Sequence, residues 1–146
     1  MIERVFMLLI LAGVVALLLV AGRAVIAAKR RRALAAEPLA SAATGDEAGR
    51  VRLLAFSTPH CQQCHLLQKP ALEDVVGRNS AVEIVPIDAL EQPELAARYG
   101  ILTVPSTVVL TADGRAAAVN YGYAPAKVLL EQIGAAQPSL AAHQAG

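Results

Sequence analysis

Apolar and polar positions divide the chain into one long apolar stretch and a second part in which short apolar runs alternate with turns. The stretch Val5–Gly22 carries no charged residue in 18 positions, and apolar character resumes after Arg23 as far as Ala28. At about 1.5 Å per residue, such a helix is close to the ~30 Å hydrocarbon thickness of a bilayer. The pattern predicts a single transmembrane helix over roughly residues 5–28, within an N-terminal anchor of residues 1–32.

The remaining chain is predicted to contain a linker, one domain and a tail. Residues 33–49 are rich in Ala with no apolar face, which predicts a flexible linker. The domain is expected over residues 50–135, followed by a C-terminal tail at 136–146. Its elements are predicted in the order β-α-β-α-β-β-α, at residues 51–56, 61–77, 81–87, 93–99, 107–111, 115–121 and 125–133. Short connections make the first two strands parallel and the last two antiparallel, which predicts an α/β fold with helices on both faces of a mixed sheet.

Proline and glycine residues predict where these elements bend and end. Pro70 lies inside the first domain helix and is expected to kink it. Gly77 and Gly100 are expected to end the first and second helices. The dipeptide Asp113-Gly114 predicts a hairpin turn between the last two strands.

Charge is unevenly distributed along the chain, although the net charge is only +1. Residues 1–32 hold six basic side chains and one acid, giving +5, whereas residues 50–146 hold seven basic and eight acidic side chains, giving −1. The domain is therefore not a basic nucleic-acid-binding surface, and the lack of Trp makes base-stacking platforms unexpected. The cluster Lys29–Arg32 directly follows the apolar run, and such clusters stay on the cytoplasmic side. We expect an uncleaved, single-pass anchor in the cell membrane, with the domain in the cytoplasm.

The candidate chemistry lies in the motif Cys61-Gln62-Gln63-Cys64, between a predicted strand and a predicted helix. A cysteine at a helix N-terminus has its thiolate stabilised by unpaired N–H groups and the helix dipole. The second cysteine, one turn further on, can attack a mixed disulfide formed by the first. We expect Cys61 to be the nucleophile and Cys64 the resolving cysteine, with the intervening glutamines and the adjacent His60 tuning their reactivity.

The residues around this motif resemble the thioredoxin family, over about residues 50–135. The matching segments are Phe56–Cys64 after a strand, Pro86–Asp88, Tyr99–Ser106, Asp113-Gly114, and Gly122 within Asn120–Tyr123. The resemblance implies a thioredoxin-like fold and protein disulfide reductase activity on protein substrates. It also implies an electron donor that the sequence does not identify, and no cofactor beyond the redox-active Cys61–Cys64 disulfide.

The same resemblance assigns roles to three further residues and exposes several departures. It implies a cis peptide bond before Pro105, backbone hydrogen bonds from Val104 to a substrate strand, and a groove bordered by Gly122. The departures are His60 where the family usually has Trp, Gln62-Gln63 where Gly-Pro is commonest, Ala55 and Ile84 where a buried Asp and its Lys partner usually lie, and Pro70 one residue later than usual.

Other interpretations of the same residues remain open at this point. The sequence Cys61–His65 also matches a haem attachment motif, but the only methionines, Met1 and Met7, lie in the anchor, so no haem is expected. The ligand types His60, Cys61, Cys64 and His65 fall in a single segment, whereas structural zinc sites usually draw on two, so no metal is expected. Two functional alternatives are a non-catalytic binding or redox-sensing module and an envelope thiol–disulfide protein for cytochrome maturation.

Overall fold

The computed structural model describes residues 2–36 and 50–137. The elements are α1 (Ile2–Leu34), β1 (Arg52–Ser57), a π-helical turn (Cys64–Gln68), α2 (Lys69–Arg78), β2 (Glu83–Asp88), α3 (Pro93–Arg98), β3 (Ser106–Leu110), β4 (Ala116–Tyr121) and α4 (Ala126–Ala136). This order confirms the predicted succession of strands and helices. Most of the predicted linker, residues 37–49, and residues 138–146 of the predicted tail lie outside the described residues.

The four strands form one mixed sheet in the order β2-β1-β3-β4. The strand β1 runs parallel to β2 and antiparallel to β3, and β4 is antiparallel to β3 with an irregularity between Val109 and Leu110. The predicted strand directions are therefore confirmed. The central strands β1 and β3 are buried along almost their whole length, as expected for strands covered on both faces.

Alternate residues of β1 feed two separate cores, one on each face of the sheet. Leu54 and Phe56 contribute to the core that includes α3 and the end of α1, whereas Leu53 contributes to the core under α2 and α4. The period of two along a strand produces this division. The loop after β1 carries Cys61. The motif therefore lies at the carboxyl end of a strand that is buried along almost its whole length.

Three boundaries differ from the predicted ones. The helix α1 continues to Leu34, and Ala33, assigned to the linker, is only 1% exposed within the first core. Ala136, assigned to the tail, is the last residue of α4 and is buried in the second core. Gly77 lies inside α2, which ends one residue later and is followed by Asn79 in an extended conformation. These differences have one cause: Ala and Gly add little to an apolar periodicity, so packing decides where they lie.

Gly100 ends α3 as predicted, in a left-handed conformation with φ of 65°. The N–H of Ile101 donates to the carbonyl of Ala96 at 2.8 Å, and the N–H of Gly100 donates to that of Ala97 at 3.0 Å. These two bonds form a Schellman motif, which satisfies the last carbonyls of the helix. The predicted hairpin turn is also present, because the N–H of Thr111 donates to the carbonyl of Arg115.

Candidate active site

The motif begins in the loop after β1 and continues into the helix. The N–H of Cys61 donates to the carbonyl of Thr58 at 3.1 Å, and the N–H of His65 donates to the carbonyl of Cys61 at 3.3 Å. Cys61 therefore lies at the point where helical hydrogen bonding starts, as predicted. Its side chain is partly exposed, whereas Cys64 is only 6% exposed.

Cys61 and Cys64 form a disulfide, with an S–S distance of 2.08 Å and a Cα–Cα distance of 5.3 Å. The backbone N–H of Cys64 donates a hydrogen bond to Sγ of Cys61 at 3.1 Å. An N–H group at a helix N-terminus has no intrahelical acceptor and stabilises negative charge placed next to it. After reduction, this N–H favours the thiolate on Cys61.

A π-helical turn over Cys64–Gln68 follows the disulfide. The N–H of Lys69 donates to the carbonyl of Cys64, five residues earlier, instead of the usual four. The wider turn accommodates one additional residue between Cys64 and Pro70. Pro70 lies inside a helical stretch that continues from Gln62 to Arg78, as predicted, and it follows directly after the π-helical turn, where the hydrogen-bond register of the helix shifts.

The π-helical turn places Gln68 in the interior, where it contacts a distant loop. Its side chain is only 3% exposed; Nε2 donates to the carbonyl of Ala124 at 3.1 Å, and Oε1 accepts from the N–H of Ala124 at 3.0 Å. The carboxamide thus satisfies both backbone groups of a residue 56 positions away. Sequence reasoning missed Gln68, although its spacing of four residues from Cys64 placed it on the buried face.

The predicted peptide bond between Val104 and Pro105 is cis, and Pro105 is buried. Val104 lines a surface groove of about 530 Å³ together with Thr58 and the apolar residues Leu90 and Leu102. Thr58 accepts the N–H of Cys61, so the groove extends from the cis peptide bond to the loop that carries the reactive cysteine. Leu90 and Leu102 are 68% and 76% exposed, which leaves a large apolar surface in this groove.

Gly122 follows β4 with a φ of 90°, and a side chain at this position would meet no neighbouring atom within 4 Å. The residue borders open space but does not line the groove beside Val104, so its role at the edge of a substrate groove stays a prediction. Tyr121 before it donates its hydroxyl to the carbonyl of Tyr99 at 3.0 Å, and Ala124 after it is held by Gln68. Burial raises the pKa of Tyr121, an effect that the nearby Arg30 partly offsets, so its hydroxyl remains a donor at neutral pH.

The predicted tuning residues lie on the surface of the motif, and the two positions where the family usually has a buried Asp and its Lys partner are apolar. The side chains of His60, Gln62 and Gln63 are exposed. Ala55 is buried in β1 opposite Thr107 and Pro86, and Ile84 is half-buried. Among residues 2–36 and 50–137, no group of three or more His, Cys, Asp or Glu side chains is arranged to hold a metal ion.

Known proteins resemble this chain in sequence and in fold. Residues 40–137 match the family model described as a thioredoxin-like domain. Thioredoxin from Bacillus subtilis (strain 168) is 32% identical over 84 residues, covering 57% of this chain and 79% of the relative. Thioredoxin from Methanocaldococcus jannaschii is 33% identical over 85 residues, covering 58% of this chain and 93% of the relative.

Solved structures agree with the sequence comparisons. A mutant thioredoxin from Halobacterium salinarum NRC-1 superimposes with a TM-score of 0.55 at 25% identity, covering 63% of this chain and 79% of that protein. The thioredoxin of Fasciola hepatica superimposes with a TM-score of 0.54, covering 63% of this chain and 86% of that protein, and its 24% identity supports the fold alone. From its family model, its relatives and its Cys61–Cys64 disulfide, this chain belongs to the thioredoxin family of thiol–disulfide oxidoreductases.

Proposed function

We propose that the protein is a membrane-tethered reductase that cleaves disulfide bonds of other proteins in the cytoplasm. The observation that carries this proposal is the asymmetry of the disulfide. Cys61 is partly exposed and its sulfur accepts the N–H of Cys64, whereas Cys64 is buried. One sulfur is therefore placed to react with a substrate, and the other to act only within the domain.

The reaction proceeds as two thiol–disulfide exchanges. The Cys61 thiolate attacks one sulfur of a substrate disulfide, and the second substrate sulfur leaves as a thiolate. Cys64, once deprotonated, then attacks Sγ of Cys61; the Cys61–Cys64 disulfide forms and the first substrate sulfur leaves. The substrate gains two electrons, which a cellular dithiol or thiol reductant returns to the cysteine pair. The groove beside Val104 supplies an apolar surface for the substrate segment that flanks its disulfide.

The direction of electron flow follows from the proposed compartment. A cytoplasmic domain meets a glutathione poise of roughly −220 to −320 mV, which would keep a strongly oxidising pair permanently reduced. The thiolate of Cys61 is stabilised by an uncharged N–H, and the neighbouring His60 is exposed and contributes little. We therefore expect a potential between roughly −200 and −280 mV. Equilibration in glutathione buffers measures it, and a midpoint above about −160 mV would contradict a reductase.

The proposed membrane tether rests on α1. The large apolar side chains of this helix, from Val5 to Ile26, are exposed on every side, and no part of its most apolar 18-residue window is buried inside the structure. A helix that is apolar all round and unpacked over this length is suited to lipid. The basic residues Lys29–Arg32 follow it directly and favour a cytoplasmic location for the domain.

Insulin reduction with dithiothreitol as electron source tests the catalytic proposal. We expect the full-length protein in detergent to accelerate precipitation of the reduced insulin B chain, and the Cys61→Ser/Cys64→Ser variant to be inactive. A folded protein that does not accelerate insulin reduction would instead favour the non-catalytic binding or redox-sensing module.

A membrane-impermeant maleimide tests the topology independently. Cells are first treated with a permeant reductant, which frees Cys61, and the maleimide is then added before or after the membrane is opened. We expect labelling only after opening. Labelling of intact cells would place the domain outside and would favour an envelope role such as cytochrome maturation.

A further inference from the structure

We propose that a cavity between the end of α1 and the end of α3 binds the phosphate headgroup of an anionic phospholipid. This inference rests on the membrane tether proposed above; the cavity does not include the disulfide, but it shares Ala97 and Leu102 with the groove beside Val104. The cavity has a volume of about 230 Å³ and is lined by Lys29, Arg32, Ala33, Ala97, Arg98, Gly100 and Leu102. The end of α1, with Lys29 and Arg32, therefore forms one wall of the cavity. The end of α3 and the residues after it form the other wall.

The two basic residues from α1 share one face of the helix. Lys29 and Arg32 are three positions apart, so their side chains are neighbours and both line the cavity. Arg30 lies near Tyr121 of β4, and neither Arg30 nor Arg31 lines the cavity. The basic cluster is thus divided by the geometry into a pair inside the cavity and a pair outside it, although all four residues are adjacent in sequence.

The cavity lies at the level where a bilayer would present its phosphates. The apolar stretch of α1 ends at Ala28, and Lys29 is the next residue. Ala33 is 1% exposed against the domain, only about 6 Å further along the helix axis. The domain is therefore held within about one helical turn of the end of the span. A lipid phosphate at this level would contact the surface of the domain.

The chemistry of the walls fits a phosphodiester with an apolar attachment. Ammonium and guanidinium groups donate charge-assisted hydrogen bonds to phosphate oxygens, and arginine can do so in bidentate fashion. Among the described residues that line the cavity, none is acidic. Leu102 is 76% exposed at the same cavity and offers an apolar contact to the glycerol and upper acyl carbons, which a free phosphate ion lacks.

Two double variants with equal charge loss separate this cavity from general surface attraction. Full-length protein in lipid-stripped maltoside micelles is titrated with phosphatidylglycerol, with phosphatidylcholine as the neutral comparison, and bound lipid is counted by native mass spectrometry. We expect Lys29→Gln/Arg32→Gln to weaken phosphatidylglycerol binding about tenfold or more, and Arg30→Gln/Arg31→Gln to weaken it less than about twofold. Equal losses in both variants, or no loss in either, would overturn the proposal.

A charge-neutral variant provides a second test that does not depend on removing basic residues. Ala97 lines the cavity from α3 and is itself exposed, so Ala97→Phe narrows the cavity without disturbing the core. We expect this variant to lose phosphatidylglycerol binding with unchanged circular dichroism. Undiminished binding in folded Ala97→Phe would contradict a site in this cavity.

Two further measurements identify which idea has failed if binding is not as expected. Inorganic phosphate is added as a competitor: displacement of phosphatidylglycerol at equal concentrations would show a site for soluble anions and overturn the lipid assignment. Carbonate extraction of membranes tests the tether alone. Release of the protein would contradict the membrane tether, whereas retained protein with unselective lipid binding would contradict only the cavity.

Discussion

The two sulfur atoms of the disulfide lie in different surroundings, although their residues are only three positions apart. Cys61 is reachable by solvent and accepts the N–H of Cys64, and Cys64 is enclosed. Because exchange requires in-line access to sulfur, we expect a substrate to form a mixed disulfide with the exposed residue. The proposed order of the two steps therefore follows from the difference in exposure.

This asymmetry predicts opposite behaviour of the two single cysteine variants. Cys64→Ser removes the resolving thiol, so it should accumulate mixed disulfides with a model disulfide protein. Cys61→Ser leaves only the buried sulfur and should accumulate few. Non-reducing electrophoresis followed by mass spectrometry of the linked peptide measures both variants. More adduct on Cys61→Ser than on Cys64→Ser would reverse the assigned roles.

Gln68 provides the second prediction at this scale. Gln68→Leu introduces an apolar side chain of similar size and leaves the buried N–H and C=O of Ala124 without their partner. Each of the two unsatisfied buried groups costs about 1–3 kcal/mol, so we expect a loss of about 2–6 kcal/mol in the free energy of unfolding. Gln63→Leu, the same substitution on the exposed surface, should change it by less than about 0.5 kcal/mol. Urea denaturation compares them, and equal effects would show that the Gln68 bonds add nothing.

Tyr99 provides a pH-dependent prediction. The residue is 1% exposed, and its hydroxyl has no hydrogen-bond partner within the described part of the chain. Burial raises its pKa, with Arg98 and Arg52 acting in the opposite direction. Because the folded-state pKa lies above the unfolded value of about 10, the associated stability is present below pH ~10 and is lost as pH rises through the folded pKa.

Tyr99→Phe should therefore lose less stability above pH ~10 than the wild type does. At neutral pH the variant should be as stable or up to about 1 kcal/mol more stable, since it removes an unsatisfied buried hydroxyl. Its edge contact with the ring of Phe56, at a centroid distance of 6.4 Å, is retained. Urea unfolding across pH, with the exposed Tyr123→Phe as control, measures the effect. A marked loss of stability at neutral pH would reveal a partner for the hydroxyl.

At the scale of elements, helix ends and sheet contacts determine how the site is held. The loop after β4 is tied to the π-helical turn by Gln68, and β4 itself is tied to α4 by a buried side-chain network. Asn120 Nδ2 donates to Thr107 Oγ1 at 3.1 Å and to Gln132 Oε1 at 2.7 Å, and Gln132 Nε2 donates back to Asn120 Oδ1 at 2.9 Å. The bond to Thr107 joins β4 to β3, and the bonds to Gln132 join the sheet to α4.

Two glycine substitutions at helix positions should have opposite effects. Gly100 has a φ of 65°, so Gly100→Ala forces a left-handed conformation that costs an L-residue about 1–2 kcal/mol. Gly77 lies inside α2, and an added Cβ would meet no atom within 4 Å, so Gly77→Ala should stabilise by about 0.5–1 kcal/mol. Chemical denaturation measures both. Destabilisation by Gly77→Ala would show that α2 ends there after all, as the sequence alone predicted.

At the scale of the whole molecule, α1 does more than lead into the domain, because its last turns cover part of it. The sheet ends in β4, and α1 packs beside this edge strand with Ala33 inside the first core. Ala33 shares this core with Leu54, Phe56 and Val119, so the end of α1 covers part of one face of the sheet. The contact also orients the domain, and with it the disulfide, relative to the proposed membrane surface.

Replacement of Ala33 should release the domain from α1. Ala33→Arg introduces a long charged side chain at a 1% exposed position, so we expect faster hydrogen exchange in β4 and little change in the central strand β3. Ala35→Arg, the same substitution at an exposed position two residues later, is the matched control. Exchange measured by mass spectrometry on the full-length protein should separate the two. Similar exchange in both variants would contradict a stable contact.

The sequence by itself determined the order of elements, the sheet directions, the long apolar helix and the roles expected for Cys61 and Cys64. Each depends on local physics: periodicity of two or 3.6, turn residues, and the free N–H groups at a helix start. The family resemblance additionally implied the cis peptide bond before Pro105, which the structure confirms.

Only the tertiary structure decided which distant residues meet. Gln68 and Ala124 lie 56 positions apart in the sequence. The cavity brings Lys29 and Arg32 together with Gly100, although the linker and the first part of the domain separate them in the sequence. Such contacts depend on how the helices pack against the sheet, and no local sequence pattern specifies that packing. The π-helical turn depends on both levels. The late position of Pro70 in the sequence indicated one additional residue, whereas the burial of Gln68 against the loop after β4 decided that a wider helical turn accommodates it.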